Sequence, residues 1–506
     1  MDGIDLVLII ESVVFFVLLA IGSLYFLIYF QHPEDKWVAW APKIVALIGL
    51  TLACCNILLL PLDVQNQRGE AVKKGSLPMY TLNIICFILT AVFAIIIIPF
   101  MMFYYEGYDD TDNTTKKQYM NAIKWSIPTS VIIIGIIGVL WYLFGTIKIE
   151  RKEISSSLIS SENFDYKTNF CESSNSCYIE KVVENDVKVS IFMYIIAIIS
   201  FIGWFLFSVF GGVGLITLPS DLITSFKNRP KPIGKEKYLK MKNEIGIKSQ
   251  TLMNKNFEIE KLRESAKNKS RFSKDVKELK RQEKEFQKSV LALEDEYNKM
   301  EESYTEKGGN ILIQFGKLLL GIFGGILSFV WVLHIVLYSL MKTLGKEPIS
   351  AFLSTILSTF SKIPFVGTAL YSALAFWLLT SVINGSMKFG MKFEIFAIHP
   401  LVIKGTLMNS LLYNVGIILF TTVAIVQFLS TALGGYAKYT TSQKIFGIQI
   451  QKLKYLSYGY NYFLFIYLAL IFITLLLCIF VPTRKAIIKK SRVSSGNEES
   501  LKSNKV

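Results

Sequence analysis

Residues 124–147 read Lys124-Trp125-Ser126-Ile127-Pro128-Thr129-Ser130-Val131-Ile132-Ile133-Ile134-Gly135-Ile136-Ile137-Gly138-Val139-Leu140-Trp141-Tyr142-Leu143-Phe144-Gly145-Thr146-Ile147. In a soluble chain the β-branched centre, Val131 to Val139, would be taken for a strand. Length argues otherwise. Strands in globular proteins run about 3–10 residues, whereas a helix needs roughly 20 apolar residues to cross a ~30 Å hydrocarbon core. A lone strand in lipid would also strand its backbone N–H and C=O groups, which a helix pairs internally. The stretch is therefore read as a membrane-spanning helix. The same reasoning covers Ile95-Ile96-Ile97-Ile98-Pro99.

Working outward, eight further runs have this character: about 6–30, 41–62, 79–105, 189–219, 311–341, 363–387, 405–433 and 459–481. Residues 349–361 are either interfacial or part of the seventh span. Composition agrees: of 506 residues 52 % are hydrophobic and 18 % charged, against about 25 % charged in soluble domains. The mean hydropathy is +0.44. These values exclude disordered, collagen-like and disulfide-rich secreted classes. The expected fold is an all-α polytopic membrane protein with nine transmembrane helices. The first run lacks a basic leader, since Asp2 and Asp5 precede it, and has no small-x-small exit. It is read as an uncleaved span with the N-terminus outside. The expected organisation is a membrane domain 1–219 with an outer 148–188 loop, and a cytoplasmic helical insert 220–310. A second membrane domain, 311–481, and a basic, disordered cytoplasmic tail, 482–506, complete it.

The chain nevertheless carries a formal charge of +15. With the N-terminus outside, the cytoplasmic side holds 36 Lys and Arg and the other side 16, as the positive-inside rule requires. Without the insert the tally is 14 against 16, so the orientation rests on the insert and on the tail residues Arg484, Lys485, Lys489, Lys490 and Arg492.

The insert holds 22 basic and 16 acidic residues. Its basic density peaks near the membrane, at Lys227, Arg229, Lys231, Lys235, Lys237, Lys240 and Lys242. That placement points to an anionic cytoplasmic leaflet, at about 1 kcal/mol per basic residue near the surface. Nucleic acid is not expected, because the acids are interleaved and the element is tethered to a bilayer. Leu252, Ile259, Leu262 and Ala266 share one helical face. After a break at Lys267-Asn268-Lys269-Ser270, with Ser273 as N-cap, Val276, Leu279, Phe286, Val290, Leu293, Tyr297, Met300 and Tyr304 fall on a/d positions. Glu283 is the polar intruder. The pattern predicts an antiparallel helical hairpin of coiled-coil type, suited to a cytoplasmic protein partner.

No P-loop, G-x-S-x-G, H-E-x-x-H or C-x-x-C pattern occurs, so no catalytic, metal or cofactor site is expected and the protein is not read as an enzyme. Polar groups inside spans are the default candidates for a solute path. They are Glu11, Lys43, Lys317, His334, Asn56, Asn83, Asn409, Asn414 and Gln427. Lys43 and Lys317 lie near span ends and can snorkel. Interhelical hydrogen bonds account for the amides equally well, which leaves Glu11 and His334 as the candidate pathway residues. Cys171 and Cys177 share the outer loop, where a C-x5-C pair either closes a disulfide or stays as two thiols. The sequons at Asn113 and Asn268 fall in loops read as cytoplasmic, and Asn384 sits too near a span end to carry glycan.

Several phrases carry a resemblance. They are Tyr29-Phe30-Gln31-His32-Pro33-Glu34-Asp35, Leu60-Pro61-Leu62-Asp63-Val64 and Phe103-Tyr104-Tyr105-Glu106-Gly107. Then come Gly211-Gly212-Val213-Gly214 with Leu218-Pro219, and Asn228-Arg229-Pro230-Lys231. Trp331-Val332-Leu333-His334-Ile335, His399-Pro400 and Leu407-Met408-Asn409-Ser410-Leu411-Leu412-Tyr413-Asn414-Val415-Gly416 complete the set. Together they resemble the limb-region-1-like, or lipocalin-interacting membrane receptor (LIMR), family, in its plant and protist branch. The resemblance implies nine spans, an outer N-terminus and a long coiled-coil-bearing loop between spans five and six. Animal relatives are described as an endocytic lipocalin receptor, a participant in lysosomal cobalamin export and regulators of receptor signalling. None of these supplies a motif that maps onto residues here. The expected role is thus a receptor or scaffold, endocytic or signalling, in the plasma or endolysosomal membrane. The alternative is a transporter or accessory for a small organic solute, cobalamin-like or lipophilic. Either way the outer ligand is unknown.

Overall fold

The computed structural model describes residues 6–36, 40–68, 77–107, 115–156, 169–173, 176–229, 231–266, 274–305, 311–363, 365–389, 392–393, 396–397, 401–403 and 405–480. Within them nine helices are long and apolar enough to cross a membrane. They are Val7–Phe30, Trp40–Gln67, Met79–Glu106, Gln118–Phe144, Ile191–Lys227, Ile311–Thr343, Val366–Lys388, Met408–Ala432 and Leu456–Phe480, numbered here spans 1 to 9. The stretch 124–144 is helical throughout. Val131, Ile132, Ile134, Ile136 and Val139 are exposed on the outside of span 4, an apolar surface that only lipid covers without cost. Residues 352–360 form a separate short helix ahead of span 7.

The chain divides into two compact units, residues 1–218 with 326–506, and residues 219–325. In the first, span 8 is the axis: 89 % of its apolar window is buried, against 6 % for span 4 and 17 % for span 1. It packs on spans 2, 3, 5 and 7. An element enclosed on all sides needs small residues where backbones meet. A Cβ built on Gly203 of span 5 would lie 2.0 Å from the Phe420 carbonyl oxygen of span 8. One on Gly214 would lie 1.6 Å from the Ser381 carbonyl oxygen of span 7. The glycine cluster after Phe210 is therefore a site of backbone contact between spans.

Three spans contain π turns, at Phe93–Ile97, Phe207–Gly211 and Ile335–Leu340, and a fourth π segment, Gln443–Ile450, follows span 8. The first lies just ahead of Pro99, whose missing N–H breaks the regular ladder.

The described residues of the 148–188 loop are strand for most of their length. Strands β1 (Thr146–Ser156), β2 (Asn169–Ser173) and β3 (Ser176–Lys188) form an antiparallel sheet in the order β1-β3-β2. β1 continues from span 4 and β3 runs into span 5, where Ser190 caps the helix by accepting from Met193 N–H. The register sets Cys171 opposite Cys177.

In the second unit, Lys235–Ala266 and Lys274–Thr305 are two helices of 32 residues. They run antiparallel: the rings of Tyr238 and Tyr304 stack at 4.1 Å, and Lys248 donates to Glu296 at 3.0 Å. Burial follows a period of seven. Tyr238, Leu252, Leu279, Phe286 and Leu293 are half-buried, and Ile245, Ile259 and Met300 are buried. The two heptad series are buried to different depths: Val290, Tyr297 and Tyr304 stay 37–40 % exposed, although Tyr304 meets the first helix through its stack on Tyr238. The side chains of Val276, Glu283, Leu262 and Ala266, the break at 267–273 with Ser273, and Pro230, Asn113, His399 and the 482–506 tail lie outside the described residues.

Candidate functional site

The polar residues flagged inside the spans mostly tie helices together. Asn56 of span 2 donates to Thr90 Oγ1 of span 3 at 2.7 Å. Ser200 of span 5 donates to Gln427 Oε1 of span 8. Ser442 donates to Asn83 Oδ1 at 3.1 Å, and Asn384 donates to Thr217 Oγ1 at 2.9 Å. Burial without such partners would be costly, which explains why the groups meet in pairs. Lys43, near the start of span 2, is buried, and its Nζ reaches back to donate to the Asp35 carbonyl oxygen in the preceding loop.

Buried aspartates hold the start of span 8 and the start of the helical segment that follows it. At its start, Asp35 Oδ2 accepts from Met408 N–H at 2.9 Å while Oδ1 accepts from the Tyr105 hydroxyl at 2.9 Å. Backbone pairing reinforces this: His32 N–H donates to Thr406 O at 2.9 Å and Thr406 N–H to Phe30 O at 3.1 Å. Asn409 Nδ2 donates to Glu106 Oε1 at 2.8 Å. Beyond the other end, Asp63 Oδ2 accepts from Thr441 N–H, where the 441–450 helical segment begins. A carboxylate at a helix N-terminus pairs with unmet N–H groups and the positive end of the dipole. Three of the phrases quoted for the resemblance, around Asp35, Tyr105 and Met408, thus converge on one cluster.

Near the Thr441 end a cavity of about 200 Å³ opens between spans 5, 6, 8 and 9. The π turn of span 6 contributes Tyr338 and Ser339, and the following turn Lys342. Span 8 contributes Gln427, Phe428 and Thr431; Trp204 and Tyr460 come from spans 5 and 9, and Gln451 from the segment between spans 8 and 9. Among the described residues none that lines it is acidic. Trp204 is 4 % exposed, its ring edge-on to Phe428 at 4.6 Å, and its Nε1 has no hydrogen-bond partner among the described residues. Ser339 Oγ is likewise buried and unpartnered.

The structure brings none of the residues singled out as sites together, apart from the cysteine pair and the basic run. Glu11 is buried in span 1, which packs on span 2. His334 is buried in span 6; its Nε2 donates to the Ala432 carbonyl oxygen at 2.9 Å and its ring stacks on Tyr338 at 5.4 Å. It therefore lies beside the cavity wall without lining it. Lys227, Lys231, Lys235, Lys237, Lys240 and Lys242 are exposed, and Arg229 sits over the Phe226 ring at 4.3 Å. Of the cavity residues only Gln427 was flagged from sequence. Lys342, Ser339 and Trp204 belong to no motif, and their only signal is the helical spacing of Tyr338, Ser339 and Lys342.

Nine apolar helices among the described residues, the eighth of them buried by its neighbours, with polar pairs between them, define an all-α multi-pass integral membrane protein whose immediate surroundings are a lipid bilayer. Comparison with known proteins narrows the class. The LMBR1-like membrane protein family profile matches residues 8–310 and 242–481. A LIMR family protein of Dictyostelium discoideum is 34 % identical over 490 residues, covering 90 % of this chain and 93 % of its own. LIMR family proteins of Oryza sativa subsp. japonica and Arabidopsis thaliana are 34 % and 33 % identical over 479 residues, each covering 91 % of this chain and 93 % of the relative. No solved structure matches. The chain belongs to the LIMR, or LMBR1-like, family.

Proposed function

We propose that the protein is a non-enzymatic membrane receptor or scaffold. In this reading the N-terminus is outside, the C-terminus cytoplasmic, and the membrane is the plasma or endolysosomal one. The observation that supports it is the hairpin of residues 235–305. Its seam is filled by Leu279, Phe286, Leu293 and Met300, with Tyr304 stacked on Tyr238, while Leu239, Ile247, Met253 and Phe257 remain exposed on the first helix. Solvent does not favour such a stripe, and a partner helix of coiled-coil type covers it by the same packing that forms the hairpin. The basic run from Lys227 to Lys242 holds the root of this arm to an anionic leaflet, and nucleic acid has no role. The test uses the full chain in its native membrane, cross-linked and purified beside the variant Leu239→Ser/Met253→Ser/Phe257→Ser. Loss of specific cytoplasmic proteins from the variant, with equal membrane abundance, supports the docking arm. An identical set of co-purifying proteins removes it.

A second reading, a transporter or accessory for a small organic solute, draws support from the cavity between spans 5, 6, 8 and 9. It requires that Glu11→Gln or His334→Ala change solute uptake in reconstituted vesicles. Unchanged uptake in both variants excludes direct transport through these residues.

A further inference from the structure

The cavity has a chemistry of its own, independent of the docking arm. Lys342 is its charged group and lies one residue from the end of span 6, where the bilayer interface falls. Two donors in its lining, Trp204 Nε1 and Ser339 Oγ, are buried and have no acceptor among the described residues. Buried donors are normally satisfied, so an orphaned pair beside one cavity calls for acceptor atoms from a ligand. The wall that presents Ser339 is a π turn, a rare distortion that recurs at functional sites. Phe428 and Tyr460 supply apolar surface next to these donors. The volume is below the ~300–1,000 Å³ of sites that enclose a drug-sized molecule, and suits a head group with a few carbons.

We propose that this cavity binds the anionic head group, carboxylate or phosphate, of a lipid-like amphiphile. Lys342 pairs with the charge, and Ser339 Oγ and Trp204 Nε1 donate to the head-group oxygens. Phe428, Tyr460 and Leu464 contact the first carbons, and the remaining chain leaves towards the bilayer. The lining carries one cation and, among the described residues, no carboxylate. Its amide and hydroxyl groups can donate as well as accept, so the net charge favours an anion over a cation.

The experiment uses the full-length protein in nanodiscs of dioleoylphosphatidylcholine, with a diazirine-bearing palmitate as the probe and peptide mapping as the readout. Labelling concentrates on peptides containing Trp204, residues 338–343 and residues 460–464, and oleate or phosphatidic acid displaces it at micromolar concentration. Oleate stronger than phosphatidic acid identifies a carboxylate head; the reverse identifies a phosphate. Lys342→Gln weakens displacement at least ten-fold, and Ser339→Ala and Trp204→Phe a few-fold each. Lys124→Gln, which removes an exposed lysine in span 4, changes nothing. Labelling spread over the lipid-facing spans, or unaffected by Lys342→Gln, overturns the proposal. So does equal displacement by added phosphatidylcholine. Displacement by acetate or inorganic phosphate as effective as oleate also overturns it, showing a free-anion site.

Discussion

Asp35 and Met408 are 373 residues apart in the chain, yet the Asp35 carboxylate accepts the Met408 backbone N–H at 2.9 Å. The first helical turn of the most buried span is thus capped by a side chain from the loop after span 1. Span 8 has no polar side chain of its own in the capping position, which Leu407 occupies. The cap has to come from elsewhere in the fold.

Removing it destabilises the bundle. Asp35→Ala takes away the N-terminal cap and the acceptor for the Tyr105 hydroxyl, a loss of about 2–3 kcal/mol. Tyr105→Phe, which leaves the cap in place, costs about 1 kcal/mol. Thermal unfolding of the detergent-purified protein should rank them Asp35→Ala, Tyr105→Phe, wild type. Indistinguishable midpoints would show that the cap contributes nothing.

The glycine contacts are position-specific. Gly214→Ala drives a methyl group into the Ser381 carbonyl oxygen, which is backbone and cannot turn aside. Overpacking of this kind costs about 1–3 kcal/mol or more. Gly135→Ala, with nothing within 4 Å of the added Cβ, is neutral or slightly stabilising through helix propensity. The contrast is read from the yield of monodisperse protein for the two variants; equal yields would remove the backbone-contact interpretation.

Cys171 and Cys177 are directly paired across β2 and β3. Paired antiparallel residues hold their Cα atoms about 4.5–5.5 Å apart, within the separation a disulfide spans. If this sheet faces an oxidising compartment, as the charge distribution predicts, the two cysteines are bridged. Non-reducing peptide mapping should recover residues 171 and 177 in one linked species. Two alkylatable thiols in protein from its native membrane would contradict both the bridge and the orientation.

Within the hairpin, seam and outward positions should behave differently. Met300→Ala empties a buried position and costs about 2–4 kcal/mol. Ile247→Ser alters an exposed one and stays within about 0.5 kcal/mol. Hydrogen exchange across residues 235–266 should accelerate for the first and not for the second. Comparable acceleration in both would show that the heptad series does not hold the helices together.

The amino-acid sequence alone determined the class and the nine spans, because the signals are local. Twenty apolar residues must be helical in lipid whatever surrounds them, so even Val131 to Val139 could be assigned against their strand propensity. The basic run from Lys227 to Lys242 and the hairpin were legible for the same reason, being composition and period within one segment. Tertiary structure decided which faces meet. In lipid a span is apolar all round, so hydropathy does not say that span 8 is central and span 4 peripheral. Glu11, Lys43 and Asn56 looked alike as polar groups in apolar runs, yet only the packing shows that Asn56 meets Thr90 and that Lys43 meets the Asp35 backbone. The heptads marked one a/d seam on the second hairpin helix, and the packing buried its Leu279 to Met300 series more deeply than its Val290 to Tyr304 series. The cavity was least visible of all. Trp204, Ser339 and Lys342 are ordinary residues of their own helices, and the site exists only where four spans and a π turn bring their side chains to one place.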